Sequence, residues 1–307
     1  MKSKFTLSVV IPAFNEQEVI ENSLRILDQY IKTELKDLIS DFEFIVVNNG
    51  SSDDTLKILL DLKKVEFNSS LKIIDLTKNF GCQASVSCGI ENINHDLCLI
   101  IDSDLQVEVD KIREMILKIG EETDLVLGIM SSRDEDSFFK KISSDFFYFF
   151  VDLMGINSFK NHSYFRVFKK SVALDLKKFK EIHRIDRLLF LELTNRIKTV
   201  NYKRVKRNHG ISKMNFKYLV NLAVNAITSN SIMPIRFFLI IGALESLISI
   251  VFIFSRIIKN DMDLLNPIIF FNTGLILVSI GIIGEYIFRA FIESKSRPLY
   301  LVRNFYK

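Results

Sequence analysis

Two apolar runs near the end of the sequence restrict its fold more than any other feature. Phe237–Phe254 (FFLIIGALESLISIVFIF) carries a single charge, Glu245, and Ile268–Ile283 carries none. A bilayer core is about 30 Å thick, so a spanning helix needs about 20 largely apolar residues. Both runs approach that length, and Gly284–Phe288 extends the second past Glu285. Two buried helices of a soluble core would read similarly. The connection containing Pro267 and the basic flanks favour a membrane. Lys213, Lys217 and Arg236 precede the pair, and Arg289, Lys295, Arg297 and Arg303 follow it. Positive residues mark the cytoplasmic side, which puts both ends there, although Arg256 and Lys259 in the connection vote the other way. The expectation is a multi-pass protein of the inner or plasma membrane, with residues 236–307 as a two-span anchor and tail. The amino-terminal MKSKFTLSVVIP has no separate apolar stretch ahead of a cleavage site and reads as a strand.

The formal net charge is +4, from 41 basic and 37 acidic residues, too mild a balance to argue for a nucleic-acid partner. Its distribution is more informative. Lys203–Lys217 contains Lys203, Arg204, Lys206, Arg207, Lys213 and Lys217 and no acidic residue. Such a block marks phosphate or anionic lipid, with a solvated basic loop as the plainer reading. Cys82, Cys88 and Cys98 are odd in number and form no CxxC, which suits reduced, structural thiols.

The first part of the chain alternates between two hydrophobic periods. Leu7–Ile11, Phe44–Val47, Ile73–Leu76, Leu97–Ile101 and Leu125–Leu127 read as strands. Ile20, Leu24, Leu27 and Ile31 follow helical spacing, with Asn15 and Glu18 as a capping box ahead of them. Ser51 or Ser52 is placed to cap a helix carrying Leu56, Leu59 and Leu60, and a third helix runs from about Gln83 to Ile93. This alternation predicts an α/β domain with a mostly parallel sheet over residues 1–213. Phe138–Met154 and Asn215–Met233 have amphipathic spacing, and the second enters an apolar run through Pro234. Both are expected at the membrane interface, the second within a juxtamembrane segment over 214–235.

Ligands of parallel α/β sheets bind at the carboxyl ends of the strands, and the unusual residues fall there. Asp102-Ser103-Asp104 directly follows an uncharged strand. Two carboxylates on one turn repel each other unless a cation accompanies them, and all-oxygen ligands favour Mg²⁺ or Mn²⁺. Gln106 would add a neutral oxygen. The loops Pro12-Ala13-Phe14-Asn15-Glu16, Asn48-Asn49-Gly50-Ser51-Ser52 and Lys78-Asn79-Phe80-Gly81 follow the first three strands. Together they supply amide, carboxylate and ammonium groups suited to a nucleotide.

The segments PAFNE, VNNGSSDDT, TKNFGCQAS and DSDLQ, in this order and spacing, resemble glycosyltransferase family 2, and more narrowly its polyprenyl-phosphate branch. The likeness continues through Phe165-Arg166, through Arg207-Asn208-His209-Gly210-Ile211-Ser212-Lys213, and through Gly284–Arg289 to Arg297-Pro298. The resemblance implies a GT-A fold, in which Pro12, Phe14, Glu16, Asn49, Ser51 and Lys78, with Ser103, contact the nucleotide of a UDP- or GDP-sugar. Asp102 and Asp104 would act on the metal–diphosphate, with Gln106 as an accessory ligand. Arg166, Arg207 and Lys213 would face phosphates at the membrane surface. The chain departs from the family in having Phe14 for the usual Tyr, Asn48-Asn49 where at least one Asp is usual, and Ser131 where an Arg often stands, with Arg133 nearby.

The implied reaction is inverting sugar transfer to a polyprenyl phosphate of undecaprenyl type, in modification of cell-envelope glycans. Such an acceptor is already anionic and needs no strong base. A hydroxyl acceptor would need one, with Asp186 the candidate. A non-catalytic membrane protein retaining the nucleotide fold is a further alternative, and self-association is left open. With no tryptophan, the chain lacks the QxxRW signature of processive polysaccharide synthases.

Overall fold

The computed structural model describes residues 4–64, 70–131, 162–179, 186–204 and 265–307, and isolated positions between 235 and 251. The expected first half of the fold is present. Strand β1 (Phe5–Ala13) leads to helix α1 (Ile20–Glu34), β2 (Ile39–Asn48), α2 (Thr55–Lys64), β3 (Ser70–Leu76), α3 (Cys82–Glu91) and β4 (Leu97–Ile100). Then come α4 (Lys111–Lys118), β5 (Leu125–Met130), β6 (His162–Lys169), α5 (Lys170–Leu176), α6 (Asp186–Leu193) and β7 (Ile197–Tyr202). Helix α7 (Leu265–Ser294) and strand β8 (Val302–Tyr306) complete the described chain.

The strands form one sheet in the order β7-β5-β6-β4-β1-β2-β3-β8. Only β6 and β8 run against the other six, so the carboxyl ends of β1, β2, β3, β4, β5 and β7 share one edge. Alternate side chains feed two cores. Leu7, Val9 and Ile11 face α1, α2 and α4, while Val10, Ile45, Val47 and Ile100 face α3, α5 and α6. Burial on both faces explains why the central strands read as unbroken apolar runs.

Two helix starts differ from the expected caps. Helix α1 begins after Val19 with no side-chain cap, so the Asn15–Glu18 capping box does not form. Asn15 instead takes a φ of 54° and its Oδ1 accepts from the Ser52 N–H at 2.8 Å. At α2 the Thr55 N–H is taken by Asp53 Oδ1, at 3.0 Å. The serines are drawn into tertiary contacts that outcompete a local cap.

At the opposite, amino edge lies a buried polar cluster. Glu43 Oε1 accepts from Ser8 Oγ at 2.7 Å and lies 3.2 Å from His95 Nδ1, and Lys72 Nζ is 2.5 Å from Glu43 Oε2. Burial pushes the Glu43 carboxyl up, but hydrogen bonds from His95, Lys72 and Ser8 outweigh it and hold it at about 2. The same bond to Glu43, helped by Asp41 and opposed by burial, raises His95. Stability from His95 is therefore fully present below its unfolded value of 6.5 and lost as pH rises through the raised folded value. That from Glu43 is present above 4.5 and lost as pH falls toward about 2. The melting temperature should fall as pH is raised from below 6.5 through the raised value of His95, and the fall should shrink in His95→Gln. Identical profiles for the two proteins would remove His95 from the account.

Two compact units emerge: residues 1–148, 157–213 and 298–307 form one, and residues 149–156 and 214–297 the other. The tail thus departs from the expected boundary, since β8 pairs antiparallel with β3 rather than trailing from the anchor. In the second unit, Asn272–Ser294 is 23 residues long with mean hydropathy 2.0, and only 6% of that window is buried. Among the described residues it is the one helix long and apolar enough to cross a membrane. The first apolar run and both interfacial helices lie largely or wholly outside the described residues. At its described positions, Ile240, Leu244, Ile248 and Val251 are exposed on helical backbone.

Candidate active site

On the carboxyl edge the loops after β1, β2 and β3 are stitched together beside the turn after β4. Ala13 ends β1 opposite Asn48, and its carbonyl accepts the Asn49 N–H at 2.8 Å. Ser51 Oγ accepts the Asn15 N–H at 3.0 Å, and Thr55 Oγ1 accepts the Glu16 N–H at 2.9 Å. The loops after β1 and β2, which hold Pro12, Phe14, Glu16, Asn49 and Ser51, are therefore tied together by hydrogen bonds. Gly50 has φ +65°, and a Cβ there would fall 2.4 Å from the Lys78 carbonyl carbon. Only glycine lets the β2 and β3 loops approach this closely.

Asn48 and Asn49 are committed to structure. Asn48 Nδ2 donates to Asp75 Oδ1 at 2.7 Å, with both residues 1% exposed. Asn49 Nδ2 donates to Asn79 Oδ1 at 3.0 Å, while its Oδ1 accepts the Phe80 N–H at 2.9 Å. Lys78 is exposed, its ammonium 5.2 Å from the Phe80 ring centroid. From the edge strand, Arg303 Nη1 reaches Asp75 Oδ2 at 3.5 Å, and its Nη2 donates to the Thr77 carbonyl at 2.7 Å.

The acidic turn sits at the end of β4. Leu97–Ile100 is fully buried and the Ile101 N–H still reaches the Val10 carbonyl, at 3.1 Å, before the chain turns. Asp102 and Asp104 are half-buried and Ser103 is buried. Leu105 takes a φ of 45°, its N–H donates to the Asp102 carbonyl at 3.2 Å, and the Gln106 N–H reaches Asp104 Oδ1 at 3.3 Å. Among the described residues no group of three or more His, Cys, Asp or Glu is gathered to hold a metal. Two hard carboxylates on one turn fit Mg²⁺ or Mn²⁺, whose other positions fall to water and substrate oxygens.

Two expected site residues have defined surroundings. Arg166 is fully buried, opposite Ile100 and Leu127, with Nη2 donating to the Ser163 carbonyl at 2.8 Å and the guanidinium 4.6 Å from the Phe190 ring centroid. It lies on the sheet face that packs against α3, α5 and α6. Gln106 Oε1 accepts from Arg204 Nε and Nη2, at 3.0 and 2.6 Å. Its oxygen meets a cation in this arrangement. Ser131 caps β7, its Oγ donating to the Tyr202 carbonyl at 2.9 Å. Arg133, Arg207 and Lys213 lie outside the described residues, as does the side chain of Asp186. Sequence inspection missed Asp75, and it placed Arg303 only among the basic flanks of the apolar runs.

The mostly parallel α/β sheet carries an acidic turn and amide-rich loops on its carboxyl edge, where ligands of such sheets bind. The chain is a glycosyltransferase and belongs to glycosyl transferase family 2, whose model matches residues 8–177. It is 34% identical to an uncharacterized glycosyltransferase of Synechocystis sp., over 96% of this chain and 94% of that protein. It is 30% identical to the bactoprenol glucosyl transferase of Shigella phage SfV, over 97% and 98%. Among solved structures it resembles S. aureus TarS 1-349, at 18% identity and a TM-score of 0.46, over 65% of this chain and 60% of that one.

Proposed function

We propose that the chain transfers a sugar, with inversion, from a UDP- or GDP-sugar to a polyprenyl phosphate at the cytoplasmic face of the inner or plasma membrane, in cell-envelope glycan modification. The end-to-end likeness to a bactoprenol glucosyl transferase, covering 97% of this chain, carries the reading. It spans the apolar helix α7, whose exposed Ile276, Ile280, Ile283 and Ile287 suit lipid. The two-span anchor remains part of the proposal, resting on the two apolar runs.

Pro12, Phe14, Glu16, Asn49, Ser51 and Lys78 would bound the nucleotide, and the stitched loops would place it with little reorganisation. Asp102 and Asp104 would hold Mg²⁺ or Mn²⁺, which when bound supplies Lewis-acid stabilisation of the leaving diphosphate. An acceptor phosphate brings its own negative charge, so alignment and desolvation replace a general base. Arg207 and Lys213 would hold it at headgroup depth.

The test uses purified full-length protein, undecaprenyl phosphate, Mg²⁺ or Mn²⁺ and a panel of UDP- and GDP-sugars, read by nucleoside diphosphate release. Release that does not depend on the lipid phosphate would defeat the proposal. A hydrogen-bonded ion pair to phosphate is worth roughly 1.5–3 kcal/mol. In neutral detergent, Arg207→Ala and Lys213→Ala should each lower transfer efficiency by about ten- to a hundred-fold, with donor binding changed much less. Wild-type turnover in both variants would mean that these cations only attract anionic lipid.

A further inference from the structure

A cation that sequence leaves inside an undifferentiated basic block is singled out by its contacts. Arg204 follows β7 by two residues, and β7 runs parallel to β5, so it lies on the same edge as the Asp102–Asp104 turn. Two contacts dock this exit onto the segment after that turn. The Lys203 N–H donates to Glu108 Oε2 at 2.7 Å, and the Arg204 guanidinium presents Nε and Nη2 to Gln106 Oε1. The Gln106 N–H in turn donates to Asp104 Oδ1. One residue thus links the acidic turn to a guanidinium that is 98 positions away in sequence.

The choice of partner matters. A neutral amide oxygen fixes the direction of the guanidinium without neutralising it. The contact uses one edge of the fork, and the Nη1 side keeps two N–H donors. Arg204 is exposed, and among the described residues no carboxylate lies within ion-pair distance of it. An oriented, uncompensated guanidinium with a fork suited to phosphate oxygens, beside the carboxylates of the site, is arranged to receive an anion. The same oxygen serves a metal ion poorly, because the ion would sit against a positive charge.

We infer that Arg204 binds a substrate phosphate during transfer, and that Gln106 is its positioning residue rather than a metal ligand. This rests on the proposed reaction, which brings two sources of that chemistry, the donor diphosphate and the lipid phosphate. The experiment compares full-length wild type, Arg204→Ala, Arg204→Lys, Gln106→Ala and Gln106→Glu in neutral detergent, with melting temperatures confirming that each is folded. One arm measures UDP and GDP binding by calorimetry with Mn²⁺ present. A second measures KM for undecaprenyl phosphate. A third measures Mn²⁺ affinity without nucleotide.

Arg204→Ala should lose about tenfold or more in the first or second arm, and the arm that moves names the phosphate. Arg204→Lys should recover only part, because an ammonium has no fork. Gln106→Ala should move the same arm by less, and Gln106→Glu by nearly as much as Arg204→Ala because it quenches the charge. Mn²⁺ affinity should stay at the wild-type value in Gln106→Ala. Wild-type behaviour of Arg204→Ala in both phosphate arms would overturn the inference, as would loss of Mn²⁺ binding in Gln106→Ala. Should the wild type bind neither nucleotide nor lipid phosphate, the functional reading falls and this inference with it.

Discussion

Asp104→Asn should abolish sugar transfer and leave the protein folded. The side chain sits half-buried on the turn that ends β4, one residue from Ser103 and two from Asp102. Its Oδ1 accepts the Gln106 N–H at 3.3 Å, a bond that an asparagine oxygen can keep. The substitution therefore removes charge more than geometry, and it relieves the repulsion between two carboxylates on one turn. What disappears is half of the anionic set proposed to hold Mg²⁺ or Mn²⁺. Lewis-acid stabilisation of a leaving diphosphate is worth several kcal/mol, so transfer should fall about a thousand-fold or more. The melting temperature should stay within about 3 °C of wild type, since a change below about 1 kcal/mol is expected. Full activity of this variant, or of the wild type in EDTA, would defeat the metal assignment.

Asn48→Asp should be the most damaging isosteric change at the site, through stability rather than chemistry. Asn48 Nδ2 donates to Asp75 Oδ1 at 2.7 Å, and both residues are all but fully buried. A carboxylate at position 48 removes that donor and sets two negative charges at hydrogen-bonding distance; among the described residues Arg303, 3.5 Å from Asp75, is the one cation in ion-pair range to offset them. An uncompensated buried charge costs about 3–5 kcal/mol, which lowers the melting temperature by roughly 10 °C at pH 7. One carboxyl of the new pair acquires a folded pKa raised above its unfolded value. The penalty is therefore full above the raised folded pKa and relieved as pH falls through it, so the variant should recover toward wild type near pH 5. Asn48→Asp combined with Asp75→Asn restores a donor and a single charge and should regain most of the loss. Equal melting temperatures for Asn48→Asp and wild type at pH 7 would refute this account.

That pair also gives the amide of Asn48 a structural use. Asp75, on the next strand, presents a buried carboxylate that the Asn48 amide satisfies and a second carboxylate at position 48 would not. Asn49 is likewise bound at both ends of its amide, to Asn79 and to the Phe80 N–H. Neither position is vacant of function. Both hold the loops in place.

The first five strands, the mostly parallel sheet, the acidic turn and the lipid-suited helix were legible in the sequence, while β6, β7 and β8 were not. Each rests on local periodicity: Leu97–Ile101 is unbroken because β4 is buried on both faces, and Ile20, Leu24, Leu27 and Ile31 recur because one side of α1 meets the core. Burial preference acts residue by residue, so it is written along the chain. Partnership across the sheet edge is not. Gln106 meets Arg204, Asn48 meets Asp75, and Arg303 returns from beyond α7 to join β8 to β3. The Asn15–Glu18 cap failed for the same reason, since Ser51, Ser52 and Thr55 offered the loop better partners than its own helix did. A polar side chain takes whichever partner the folded backbone brings within about 3 Å, and only the closed sheet determines which one that is.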